Sequence, residues 1–246
     1  MNIKYIDVSE LEDKNIFDSY MSQLSTCRKE KINTLKFDKD KQLSLGAGIL
    51  LMECLKEYNI EERACEYNVN EHGRPYILEY ENIEFNLSHS GRIAAIAIDN
   101  TVNINNINKE RGDICDIDNS QVFEAAFNFG IDVEQIKKYS PNVVKRIFSE
   151  SDQNIISDLE KEDTEQAEKY FVRVWTRIES YGKMTGNGVV FSDENLKHVM
   201  DDEYMAAKNI YFKEYEAVDR EENKYIISLC GKTRDIMYCN IEEFTI

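Results

Sequence analysis

The stretch IEFNLSHSGRIAAIAID, residues 83–99, reads as two β-strands folded about a tight SHSG turn. Just before it, EHGRP marks another turn. Further upstream, IKYIDV reads as a strand, and residues 10–35 read as helical with a break near Ser25 and Thr26, both N-cap residue types. A clearer helix runs from Asp38 to about Tyr58, because Leu43, Ala47, Leu50, Leu51, Cys54 and Leu55 recur at helical spacing. Gly46 and Gly48 inside it each cost about 1 kcal/mol of helix stability. They make sense where a neighbouring element or a ligand comes close. Downstream of the hairpin, residues 100–129 are polar and rich in Asn and Asp. FGIDVE then reads as a strand, followed by helices over about 143–159 and 164–184, with Asp163 and Gln166 at capping-box spacing. NIYFKEYEAV, KYIISLCG and IMYCNI read as three closing strands. Strand, helices and strands thus occur twice. The fold class expected is α+β, in two similar halves, residues 1–128 and 129–246.

Lys and Arg number 30 against 47 Asp and Glu, a formal charge of −17. That sign argues against general nucleic-acid binding, which needs a positive field. Any phosphate must therefore meet a local basic patch. The longest apolar runs, such as Ile93 to Ile98, fall far short of the roughly 20 residues that span a bilayer. The opening MNIKYIDVSELEDK is acidic and lacks the apolar core of a signal peptide. The six cysteines are scattered without a CxxC pair, which reads as reduced thiols in a cytoplasmic protein. The three histidines do not cluster with them, which argues against zinc.

Four constellations carry chemistry. Asp132 and Glu134 in GIDVE lie two apart on a strand and so share a face. Two adjacent carboxylates suit a hard divalent cation such as Mg²⁺, or else form a solvated acidic pair. Trp175, Glu179 and Lys183 lie along one helix face, as a site or as an ordinary helix-stabilising pair. Ser88 and His89 sit at a turn that offers a phosphate cradle or a plain hairpin. They lack an Asp orienter, so a serine-hydrolase reading is poor. The segment from Arg28 to Lys41 has six cations against three acids, net +3, either a phosphate site or a solvated helix face.

In this order, GRP, FNLSHS, GIDVE and the W-x-x-x-E-x-x-x-K helix resemble the Sfp-type 4′-phosphopantetheinyl transferases, which load the carrier proteins of fatty-acid, polyketide and nonribosomal-peptide assembly. The likeness runs from about Lys29 to Gly188. It implies a monomer whose two α+β halves are related by a pseudo-twofold axis, with coenzyme A in the cleft between them and an apo carrier protein as partner. It implies Asp132, Glu134 and Glu179 as Mg²⁺ ligands, Glu179 also as base, and Lys183 on the pyrophosphate. Ser88 and His89 would contact the ADP portion. Arg74 would be a phosphate or adenine-side contact, and Arg28 and Lys31 would hold the 3′-phosphate, with Lys41 and Ser44 beside them.

Two features depart from the family pattern. Ile178 stands where a Lys usually precedes the Glu, which leaves phosphate binding weaker or shared with Arg173 or Arg177. Residues 100–129 replace a short turn and read as an inserted surface excursion. Three activities follow as alternatives: transfer of 4′-phosphopantetheine to a carrier serine, coenzyme A binding with weak or no transfer, and an unrelated Mg²⁺-dependent phosphohydrolase.

Overall fold

A computed structural model describes residues 1–70, 73–100 and 127–246. It begins with β1 (Asn2–Asp7), then α1 (Lys14–Gln23), α2 (Thr26–Thr34) and α3 (Asp38–Glu57). Asp13 starts α1 by accepting the N–H groups of Asn15 and Ile16. The expected break falls between α1 and α2, but Ser25 does not cap α2 with its side chain. Its N–H and its hydroxyl both donate to buried Glu62 instead. A small ribbon of β2 (Tyr67–Val69) and β3 (Pro75–Ile77) precedes the hairpin of β4 (Ile83–Ser90) and β5 (Ile93–Asn100).

The second part holds β6 (Phe129–Gln135), α4 (Pro141–Ile147), α5 (Glu150–Glu162) and α6 (Thr164–Thr185). It continues with α7 (Asp202–Ala206), β7 (Tyr211–Val218), β8 (Lys224–Gly231) and β9 (Ile241–Glu243). The helix expected over 143–159 is two helices, because Ser149 accepts the N–H of Asp152 and restarts the chain as α5. Asp163 caps α6 through Glu165 and Gln166, as its spacing implied. The class is α+β, as read.

The sheets are ordered β4-β5-β1-β9 and β6-β8-β7. IMYCNI departs from expectation. Arg234–Tyr238 is a 3₁₀ turn, and only Ile241–Glu243 extends as strand. That strand leaves the second sheet and pairs in parallel with β1, Ile3 opposite Ile241. The closing segment therefore ties the second part of the chain onto the first.

The run Ile93–Ile98 is apolar throughout because both faces of β5 are covered. Ala94, Ile96 and Ile98 pack with Leu50, Leu51 and Leu55 of α3, while Ile93, Ala95 and Ala97 meet Phe129, Ile131 and Val133 of β6. The opposite face of β6 turns Gly130, Asp132 and Glu134 toward α6. Gly130 lets the helix come close: a Cβ there would lie 2.2 Å from the Ser180 carbonyl oxygen and 2.6 Å from the Met184 nitrogen. Gly46 serves the same end on α3, where a Cβ would meet Val8 at 2.4 Å. Of the two uses expected for the α3 glycines, the structure shows the neighbouring element.

No helix among the described residues is long and apolar enough to cross a membrane. Cys27, Cys54, Cys65, Cys230 and Cys239 are free thiols. Cys115 and nearly all of the 100–129 excursion lie outside the described residues.

Candidate active site

Strand β4 runs parallel to β6, and its alternate side chains reach the backbone of that strand. Asn86 Oδ1 accepts the N–H of Ile131 (2.8 Å), Ser88 Oγ that of Val133 (3.3 Å) and Ser90 Oγ that of Gln135 (3.4 Å). β6 is an edge strand of its sheet, so these side chains satisfy N–H groups that no strand reaches. Both hydroxyls also face carboxylates. Ser88 donates to Asp132 Oδ1 at 2.8 Å, and Ser90 donates to Glu134 Oε2 at 2.6 Å.

Helix α6 brings Lys183 to the same place. Its Nζ donates to Asp132 Oδ1 (2.8 Å), Ser88 Oγ (2.9 Å) and the Ile131 carbonyl (3.1 Å). Asp132 is 5% exposed, yet its Oδ2 is buried without a hydrogen-bond partner. Glu179, one turn before Lys183, is close enough to feel the charges of Asp132 and Glu134. Burial first, and those two carboxylates next, raise its pKa above the ordinary carboxylate value, and Lys183 partly offsets them. Glu134 is raised as well, by burial and then by Asp132, against the hydrogen bond from Ser90.

This donor set is hard oxygen, short of positive charge, with one buried lone-pair site unfilled. It fits a divalent cation of the Mg²⁺ type. No group of three His, Cys, Asp or Glu side chains among the described residues forms a ready-made metal site. Lys183 instead supplies the counter-charge to Asp132.

A cavity of about 350 Å³ opens beside Lys183, lined by Gly73, Arg74, Pro75, Leu87 and the Gly186–Gly188 turn that ends α6. Pro75 and Leu87 also line a second hollow of about 180 Å³ that holds Arg28, Lys31 and Tyr67. The two hollows share the wall made by Pro75 and Leu87 and extend from Lys183, which bonds Asp132, to Arg28 and Lys31 of α2. His89 is exposed, within reach of the charges of Lys183 and Lys31. The protein around the ring disfavours its charged form, and the positive charges of Lys183 and Lys31 push its pKa down further.

Several expected residues take other partners. Arg28 is buried, ion-paired with Glu62 at 3.4 Å and stacked over Tyr67. Ser88 points at Asp132 rather than into either hollow. Lys41 lines a different hollow with Leu11 and Phe17 and pairs with Asp38 at 3.6 Å. Ser44 is half-buried on α3, one turn beyond Asp40, whose charge reaches His89. Arg74 lines the larger hollow but spends every N–H it has. It bonds the Phe85 carbonyl (3.0 and 3.3 Å), the Phe129 carbonyl (3.1 Å), the Lys183 carbonyl (3.0 Å) and Glu84 (3.2 Å). It is a strut between β4, β6 and α6, and burial pulls its pKa down to about 10.

Ile178 is fully buried among Val174, Tyr181, Leu196 and Phe212. Neither Arg173 nor Arg177 stands in for the missing cation: both bind Glu214, and Arg177 also bonds Asp202 and the Val199 carbonyl. Ser90 and Asn86 were present in the motif but carried no role in the sequence reading. The signal was their alternation with Ser88 along one strand face.

Residues 128–239 match the model of the 4′-phosphopantetheinyl transferase superfamily, and residues 12–101 match that of the 4′-phosphopantetheinyl transferase N-terminal region. The chain belongs to this superfamily, and within it to the Sfp-type family. It is 27% identical over 173 residues to a 4′-phosphopantetheinyl transferase of Bacillus subtilis, covering 70% of this chain and 64% of that protein. It is 26% identical over 186 residues to 4′-phosphopantetheinyl transferase Sfp of Bacillus subtilis (strain 168), covering 75% of this chain and 69% of that one. The matches thus take in about two thirds of each relative's length.

Proposed function

We propose that this chain transfers the 4′-phosphopantetheine group of coenzyme A to a serine of an apo carrier protein and releases 3′,5′-ADP. The observation that carries this reading is the unfilled, buried Oδ2 of Asp132, set beside Lys183, from which the two adjoining hollows extend to Lys31 and Arg28. A diphosphate with a distant third phosphate fits that layout of charge. The halves 1–128 and 129–246, related by a pseudo-twofold axis, would frame these hollows, in a monomer acting in the cytoplasm.

In this reading Asp132, Glu134 and Glu179 hold Mg²⁺, which when bound neutralises charge on the pyrophosphate. Lys31 and His89 orient the nucleotide end, with Arg28 behind them. The carrier serine oxygen attacks the pantetheine-side phosphorus, and the bond from that phosphorus to the oxygen of 3′,5′-ADP breaks. Glu179 takes the serine proton. Lys183 turns from Asp132 to the leaving phosphate oxygen and neutralises it. The nucleophile belongs to the partner, so the chain needs no activated Ser or Cys of its own.

The test is incubation with apo-carrier protein, coenzyme A and Mg²⁺, read by intact mass of the carrier. A gain of one phosphopantetheine supports the proposal. Coenzyme A binding with no mass gain on acyl, peptidyl or aryl carriers would favour a binding homologue. Release of phosphate without a carrier would favour a phosphohydrolase.

A further inference from the structure

Every rung of the β4–β6 ladder accepts a backbone N–H, but the rungs differ in what they do next. Asn86 ends at the N–H of Ile131 and touches no carboxylate. Ser90 accepts the N–H of Gln135 and passes its own proton to Glu134 Oε2 at 2.6 Å. The hydroxyl is buried, so its hydrogen has one direction in which to point. One bond from Ser90, whose hydroxyl oxygen is itself held by the Gln135 N–H, thereby sets one oxygen of Glu134, and the other is left to a ligand.

We infer that Ser90 is a positioning residue for a divalent cation, acting through Glu134. The inference rests on the cation-binding reading of Asp132, Glu134 and Glu179 given above. Groups that orient a metal ligand commonly change affinity by 10–100-fold when removed. Asn86 supplies an internal control, because its loss removes a rung of the same ladder without releasing a carboxylate.

The experiment measures Mn²⁺ binding by electron paramagnetic resonance in the presence of coenzyme A, with thermal melting alongside, for the wild-type protein, Ser90→Ala, Ser90→Thr and Asn86→Ala. Ser90→Ala should weaken Mn²⁺ about tenfold. Ser90→Thr, which keeps the hydroxyl, should return the affinity to within about threefold of wild type, and Asn86→Ala should lower the melting temperature with little change in Mn²⁺ affinity. Equal affinity in wild type and Ser90→Ala would overturn the inference. So would losses in Ser90→Ala and Asn86→Ala that simply follow their losses of stability. If the wild-type protein binds no Mn²⁺, the cation reading itself fails and takes this inference with it.

Discussion

Glu62 and Asp132 are both buried carboxylates beside a cation, and they are built to opposite ends. Glu62 is 2% exposed and accepts from three donors, the Ser25 N–H (2.7 Å), the Ser25 hydroxyl (2.8 Å) and the Tyr67 hydroxyl (2.9 Å), with Arg28 ion-paired at 3.4 Å. Asp132 is 5% exposed, has Ser88 and Lys183 on one oxygen, and has nothing on the other. An unsatisfied buried polar atom costs about 1–3 kcal/mol. Both oxygens of Glu62 are satisfied, so among these two acids only Asp132 carries that cost. The shortfall at Asp132, on a carboxylate beside Glu134 and Glu179, is what the proposed cation would relieve.

The sharpest way to break the comparison is Asp132→Asn. It keeps the shape and removes the charge, so transfer should fall by at least about a thousandfold while the melting temperature changes little. Transfer near wild type on the intact-mass assay would mean that the orphan oxygen has no catalytic use. Ile178→Lys comes next. At the sequence level this substitution looks like restoration of a family cation, but the structure puts the side chain in a closed apolar cluster. An unpartnered ammonium there should destabilise the protein by about 3 kcal/mol or more, read by denaturant titration. Unchanged stability with tighter coenzyme A binding would show that the side chain reaches the hollows beside Lys183.

That reversal shows where sequence reading stops. That Asp132 and Glu134 share a strand face, and Glu179 and Lys183 a helix face, was legible because periodicity alone sets which residues lie together. The α+β class and the hairpin were legible for the same reason. Partners contributed by remote segments were not. Arg74 looked like a phosphate cation, yet it is consumed by carbonyls as far away as Lys183, 109 residues along the chain. Lys41 belonged to a basic run, but that run is split between α2 and α3, and Lys41 on α3 faces another hollow. IMYCNI read as a strand, yet only Ile241–Glu243 extends, and it crosses to β1. A three-residue strand carries too little pattern to name its partner.

Glu62→Gln tests the satisfied side of the comparison. It removes the charge facing Arg28 and leaves one amide N–H among donors, so it should cost about 2 kcal/mol of stability. Arg28, no longer held, should raise KM for coenzyme A several-fold with kcat unchanged. A fall in kcat alone would place Glu62 in the chemistry and erase the distinction between the two acids.

The smallest effect has the opposite sign. The folded state raises the pKa of Glu179, chiefly by burial and then through Asp132, so metal-free protein binds this proton more tightly than the unfolded chain does. Below the ordinary carboxylate pKa both states are protonated and the group costs nothing. As pH rises, the unfolded chain ionises first and stability drains away, until the folded carboxyl has ionised too and the cost is complete. Glu179→Gln cannot ionise. At pH 7 without metal it should therefore melt higher than wild type, by roughly 2 °C in a chain of this size, with the gap closing toward pH 4. With Mg²⁺ and coenzyme A present the order should reverse, because the wild type gains a ligand that the variant binds poorly. A variant that melts lower than wild type at pH 7 in both conditions would mean that Glu179 is already satisfied, as Glu62 is, and that Asp132 is alone in being held short of a partner.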